Sequence, residues 1–336
     1  MTYTAGGLIQ ATDYNGFVGP TGSGGTAGAN LNDIWGVGAT DKGWGQTAVT
    51  NATVAGTVTA TQWASLVNNL GVSGNQTSST LTARSAPSAG QLISILAALN
   101  TDLTTVTTNR GNAAASGTEY GTFTGTTSKN NATGSGQSAW TITFTHTVTF
   151  PSANQARYFW NAGGRVRLQY GKRSTGTDSD PDWNTFAGQC GDIYVSGRVN
   201  SAAQSIAGVS YTGTTRLNGS GGTQTTLATT TGWYQLTGSP ATIFQLNNAT
   251  SPYSGEYIRT TATATSSTVL TLVTTWVSDG SSGAGTTADI SGGTGTASPS
   301  TTIVGTAPTT LVTYIPPSTT YLTNSWGTPS IGVVTA

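Results

Sequence analysis

The sequence predicts a mainly β protein with a short α-helical N-terminal region: an irregular arm, coiled-coil-like helices, then an antiparallel β-domain of sandwich or jelly-roll type. Three observations lead there. From about residue 120, apolar residues and Thr alternate with period two, the pattern of strands with one wet face. Before that point, two segments repeat their apolar residues at helical spacing. Charged residues make up only 7% of the 336, with twelve basic and twelve acidic side chains, against roughly 25% in an ordinary soluble domain. Polarity rests instead on Thr, Ser and the 46 Gly, while nine Trp, twelve Tyr and seven Phe supply surface to bury.

In chain order, residues 1–57 alternate Gly-rich stretches with short apolar ones such as "GLIQATDYNGF" and "ANLNDIWGVG". They read as an extended docking arm without a core of its own. "TATQWASLVNNLG", residues 59–71, sets Trp63, Leu66, Val67 and Leu70 on one helix face. Thr59 or Thr61 can cap its start and Gly71 its end. In residues 88–110, Leu92, Leu96, Leu99, Leu103 and Val106 are spaced 4, 3, 4, 3. That is the 3.5-residue repeat of a coiled-coil seam. Two readings stand: a helix packed on its own core, or an oligomerisation seam, with a homotrimer favoured by uncharged flanks. The region 58–118 is therefore assigned as helical.

Residues 119–336 form the β-domain. "TITFTHTVTF" places Ile142, Phe144, His146, Val148 and Phe150 on one face and Thr on the other. His146 reads as a buried, hydrogen-bonded histidine. "RYFWNAG", "RVRLQYG", "GDIYVSGRV", "GWYQLTG", "ATIFQLNN", "EYIRTTATAT" and "TVLTLVTTWVSD" follow as strands, with a hairpin at Ser266-Ser267. β-branched Thr suits an exposed strand face.

Few residues are of the kind that carries chemistry: one His, one Cys (Cys190), Glu119 and Glu256. No metal, cofactor or catalytic residue is expected. Asp178, Asp180 and Asp182 imitate the start of a Ca²⁺ loop, but Trp183 and Gln189 stand where Gly and Glu are needed. Asp180 as N-cap with Pro181 following explains the segment better as a helix start. Arg157, Arg165, Arg167, Lys172 and Arg173 crowd residues 156–173. The alternation around Gly163-Gly164 reads as two strands joined by a tight turn at positive φ, and the acidic loop is the natural partner of these cations. Trp233, Tyr234, Trp276 and Trp326 are candidates for stacking on a host-surface glycan, each with a core residue as the alternative. A net charge of +0 offers no long-range field for nucleic acid or anionic membrane. No stretch approaches the ~20 apolar residues of a span, so no membrane insertion is expected. "MTYTAGGLIQ" is not expected to act as a signal peptide.

Three pieces of sequence resemble virion structural proteins of tailed bacteriophages, notably cyanobacterial and marine phages. They are "IQATDYNGF" with "DKGWGQTAV" and "TVTATQWASLVNNL", the helical segment ending in "TTNRGN", and "YFWNAGGRVRLQ" with "DWNTF". The last is similar to the family's aromatic-Asn-Ala-Gly-Gly motif, here Trp160, Asn161, Gly163 and Gly164, with Trp160 in place of the expected Phe. The likeness covers roughly the first 200 residues. It implies a tail, neck or fibre component of a virion that partners other virion proteins and has no enzyme activity. A purely architectural collar or decoration protein and a capsule-degrading enzyme are the alternatives.

Overall fold

The computed structural model describes residues 10–20, 30–89, 96–113, 123–128, 131–132, 139–171, 180–250, 254–279, 290–291, 301–303 and 308–334. Its helices are α1 (Ala11–Val18), α2 (Leu31–Ile34), α3 (Ala60–Gln76), α4 (Leu96–Thr108), α5 (Ala153–Asn161) and α6 (Asp180–Cys190). Strands β1 (Phe123–Ser128), β2 (Asn131–Ala132), β3 (Ala139–Thr149), β4 (Arg165–Gly171) and β5 (Asp192–Ser196) come first. Next are β6 (Gln204–Ile206), β7 (Val209–Tyr211), β8 (Thr214–Leu217), β9 (Thr223–Leu227), β10 (Ala241–Asn247) and β11 (Tyr257–Ser266). The last are β12 (Val269–Asp279), β13 (Ile290–Ser291), β14 (Thr301–Ile303), β15 (Thr309–Ile315) and β16 (Ser330–Val334).

The protein is mainly β, with antiparallel pairing, and its strands lie in the C-terminal part of the chain. One sheet runs β1-β15-β4-β5-β8 and a larger one β16-β3-β12-β11-β10-β9. The expected alternation holds best in the pair β3–β12, in register without a shift from Ala139↔Asp279 to Thr149↔Val269. Ile142, Phe144, His146 and Val148 are buried on one face, as expected. The β11–β12 hairpin turns at Ser267-Thr268, one residue later than expected. The two sheets meet through side chains. The Tyr170 hydroxyl lies 2.9 Å from Thr260 Oγ1, and Trp276 Nε1–H donates to Thr310 Oγ1 at 3.1 Å. Tyr170 also stacks on Phe244.

Helix α3 starts with a capping box: Thr59 Oγ1 accepts from Gln62 N–H, and Gln62 Oε1 accepts from Thr59 N–H. It runs five residues past Gly71, the expected stop. The Thr-rich α4 keeps its backbone helical while Thr101, Thr104, Thr105, Thr107 and Thr108 donate back to carbonyls four residues earlier.

Three expectations are corrected. First, residues 10–20 and 30–57 are not an extended arm: Tyr14, Phe17, Leu31, Ile34 and Trp44 belong to the same buried cluster as the β-sheet side chains. Second, Leu96, Leu99, Leu103 and Val106 do not form an open seam. They are buried within this chain, where α3 and α1 pack on α4; Leu92 lies outside the described residues. Third, "RYFWNAG" and "GWYQLTG" are not strands. The first is the end of α5; Trp233–Gln235 of the second form one 3₁₀ turn. α5 escapes a periodicity test because it is short and its last four residues, Tyr158, Phe159, Trp160 and Asn161, are buried in succession, so the period shows only in the first turns, where Ala153 and Asn154 are exposed.

Candidate functional site

Ser152 caps α5 through its hydroxyl, which accepts from Gln155 N–H at 3.2 Å. At the other end the chain reverses through Gly163 (φ 100). Gly164 N–H donates to Phe159 O at 2.8 Å and Gly163 N–H to Trp160 O at 3.4 Å. These are the two bonds of a Schellman ending, with glycine at the positive-φ position. The positive φ expected at the Gly pair is present, but it ends a helix rather than turning a hairpin.

This ending aims Asn161 into a junction of four distant segments. Asn161 Nδ2–H donates to Gly43 O at 3.0 Å, and its Oδ1 accepts from the Tyr234 hydroxyl at 2.7 Å. Trp44 Nε1–H donates to the Asn161 carbonyl at 3.1 Å, and Gln76 Nε2–H to the Ala162 carbonyl at 3.2 Å. Trp160 stacks on Trp233 with centroids 5.5 Å apart and meets Phe159 edge-on at 5.0 Å. Gly45 is needed for close approach: a Cβ there would stand 2.4 Å from the Tyr158 ring.

A charged ring borders the junction. Arg110 Nη2–H donates to Asp41 Oδ2 at 2.9 Å, and the same oxygen accepts from Asn200 N–H at 2.6 Å. Arg157 lies over the Tyr158 ring and donates to Val37 O at 2.9 Å. Arg198, Asn200 and Ser201 close the ring in left-handed backbone conformations. Burial pushes the Tyr234 phenol well above its ordinary range, and nearby Asp41 pushes the same way. Arg157, Arg110 and the Asn161 bond act in the other direction. Tyr234 is therefore a neutral hydrogen-bond donor at ordinary pH. The arrangement holds segments together; it does not set up a base or a nucleophile.

The crowded cations of residues 156–173 are dispersed by the fold. Arg157 faces residues 37–45. Arg165 and Arg167 alternate with Val166, Leu168 and Tyr170 along β4, so they occupy the opposite face from the core. There the Arg165 guanidinium sits 5.0 Å from the centroid of Tyr211, on the β6–β7 hairpin. Lys172, Arg173 and Asp178 lie outside the described residues. Asp180 is the first residue of α6, so the expected helix start is present but one position earlier than an N-cap at Asp180 would give; the side chains of Asp180 and Asp182 are not among those described.

The glycan-stacking candidates are corrected as well. Trp233, Trp276 and Trp326 are 8%, 0% and 1% exposed and face the core. Tyr234 is half-buried with its hydroxyl engaged by Asn161. Trp326 borders a cleft of about 170 Å³ with Tyr314 and Pro316, smaller than the ~300 Å³ at which ligand pockets commonly begin.

Sequence reasoning missed the amide side chains. Asn15 and Asn32 each bond both the N–H and the C=O of one backbone residue, Ala52 and Val49 respectively. Gln46 does the same with Thr323. No spacing in the sequence marks these residues, since Asn in a Gly-rich stretch reads as a turn former. Asp41 and Arg110, which pair across 69 positions, carry no local signal either. Among the described residues, no group of three or more His, Cys, Asp or Glu could hold a metal ion. No described helix is long and apolar enough to cross a membrane. No family model, curated protein or solved structure matches this chain.

Proposed function

We propose that this chain is a structural component of a tailed-phage virion, of tail or neck fibre type, whose two facing sheets form a sandwich-like head. The observation that carries the reading is the junction at Asn161. The residues that most resemble the virion family's motif act as a mechanical joint, binding Gly43, Trp44 and Tyr234 across more than seventy positions. A particle component needs such joints, because it must keep its shape under load.

The burial of Trp233, Trp276 and Trp326 favours the architectural version, a neck or collar element, over a host-binding head that uses those rings. With Leu96, Leu99, Leu103 and Val106 in the core, a homotrimer would have to assemble through another surface. The test is a residue-resolution reconstruction of intact particles, with mass measurement of the purified chain. Density for this fold at the neck or tail supports the proposal; particles that lack the chain overturn it. Polysaccharide digestion by the isolated protein would favour the capsule-degrading enzyme instead.

A further inference from the structure

β16 stands at one end of the six-stranded sheet. An open edge offers a row of backbone N–H and C=O groups to any extended chain, so folded proteins blunt their edges with charge, proline or a bulge. Among the described strands, the other three ends of the two large sheets carry such devices. β1 pairs with β15 through a shift of register between Phe123 and Thr126, and β9 pairs with β10 through another between Gln245 and Leu246. At β8 the Arg216 guanidinium donates to Cys190 O and Gln189 O. It also donates to Gln224 Oε1 of β9 at 3.0 Å, which ties these two edges to each other.

β16 has none of these. Its run SIGVV holds no charge and no proline, and its register with β3 is unbroken from Ser330↔Thr149 to Val334↔Thr145. Ile331 and Val333 lie opposite the buried Val148 and His146, so they point to the core side of the sheet. Val333 is nonetheless 36% exposed, one of three large apolar side chains so exposed among the described residues. The reason is its place at the edge, since no described strand flanks β16 on its outer side. Ser330 and Gly332 are exposed as well.

We infer that the β16 edge docks a second copy of this chain, pairing antiparallel with the same strand of that copy about a two-fold axis at Gly332. Such a pairing is self-complementary. In antiparallel strands the outward backbone groups belong to alternate residues. A two-fold at Gly332 matches Ile331 with Val333 and Ser330 with Val334, always residues of like parity. Outward groups therefore meet outward groups, whichever set faces out. Ile331 of one copy comes beside Val333 of the other and covers it with a β-branched neighbour. Gly332 meets Gly332 without a side chain between them, and no charge on either strand opposes the approach. A charged segment of another protein finds no counter-charge on this edge, whereas an identical strand matches it in polarity. A rim of five residues covers less than the ~1,200 Å² at which stable interfaces begin, so the dimer forms at high concentration and separates on dilution. The inference is independent of the virion role proposed above, since it concerns the purified chain alone.

Sedimentation velocity of the full chain tests it, from about 5 to 500 µM because so small an interface is weak. A monomer–dimer equilibrium is expected, with slower amide hydrogen exchange in residues 330–334 at the concentrated end. Gly332→Lys sets two like charges opposite each other and should weaken the dimer about fivefold. Gly332→Glu should do the same, and an equal mixture of the two variants should associate more tightly than either alone. A Cβ at Gly332 meets Thr147 Oγ1 at 2.7 Å, a hydroxyl that can rotate aside. Should these variants fail to fold, Val333→Thr keeps the shape of the side chain and should weaken the dimer about twofold by loss of apolar contact. A chain that stays monomeric throughout, as an edge reserved for a foreign strand would leave it, overturns the inference. So does a trimer in place of the dimer, or exchange in residues 330–334 that ignores concentration. Folded lysine and glutamate variants whose mixture associates no better than each alone overturn it too, as does a dimer unchanged by Val333→Thr.

Discussion

Asn161→Ala isolates the joint on which the architecture turns. The substitution leaves the Trp44 indole bond intact, because that bond goes to the backbone carbonyl of residue 161. It removes the donor to Gly43 O and the acceptor for the Tyr234 hydroxyl. Residue 161 is 1% exposed, so water does not readily replace the lost amide. A buried polar group left without a partner costs about 1–3 kcal/mol, so two of them cost roughly 2–6 kcal/mol. That is a large part of the ~5–15 kcal/mol by which folded proteins are stable. Tyr234→Phe removes one donor and strands only Asn161 Oδ1, for a loss of about 1–3 kcal/mol. In the double variant that shared bond is counted once, so the two losses should fall short of additivity by about 1 kcal/mol or more. Urea unfolding followed by tryptophan fluorescence is the assay, since Trp44, Trp160 and Trp233 surround the joint. An Asn161→Ala protein within about 0.5 kcal/mol of the parent, a shift typical of unremarkable surface substitutions, would refute the joint. So would strict additivity in the double variant.

Other expectations follow from the same packing. Leu99→Ala should lower unfolding stability by about 2–5 kcal/mol, because Leu99 is fully buried in this chain; an unchanged denaturation midpoint with loss of oligomers would restore the seam reading. Burial raises the Tyr14 phenol from 10.0 to about 12. Unfolding then releases a proton between those values, so the contribution of Tyr14 is complete below pH 10 and lost as the pH rises toward 12. Alkaline unfolding curves should lose part of their dependence in that window in Tyr14→Phe. Gln46→Ala should untie Thr323 while leaving the Ser325 hydroxyl on the Trp44 carbonyl, read as faster amide hydrogen exchange at Thr323.

Legibility in the sequence followed wetness. β3 and the β11–β12 hairpin were readable because one face is buried and the other carries Thr, so period two is written in residue types. α3 was readable for the same reason at period 3.6, and Asp180-Pro181 marked the start of α6. α5 was not, because its second half, Tyr158 to Asn161, is buried all round and its aromatics sit side by side as they would in a strand. The heptad spacing identified a helix and its buried stripe correctly from Leu96 to Val106, but spacing alone does not say whether the stripe meets another chain or its own. The missing information is the placement of residues 10–20 and 30–57. Their short apolar runs look like an arm in isolation and find their partners only across long sequence separations, such as Trp44 with Asn161. The Asn161 motif was visible as unusual; its use as a joint was not, since Gly43 and Tyr234 lie far from it along the chain.

The scarcity of charge has a structural counterpart in these joints. A buried ion pair must recover a large desolvation cost, and a chain with twelve residues of each sign has few to place. A side-chain amide carries a donor and an acceptor on one planar group, so it can satisfy both backbone groups of a single residue, as one rung of a strand would. Asn15 does this at Ala52, Asn32 at Val49 and Gln46 at Thr323. All three sit on or pair with residues 46–52, and Trp44 and Gly43 continue the same stretch to Asn161. Residues 43–52 thus form a thread that links α1, α2, α5 and the segment before β16, held by neutral bonds that salt does not screen. Ion pairs among the described residues, such as Lys42–Asp33 and Arg110–Asp41, lie beside the thread and add to it. In such a design the apparent arm cannot leave without breaking the core, which is why a stretch that reads as an extended arm in sequence is built into the fold.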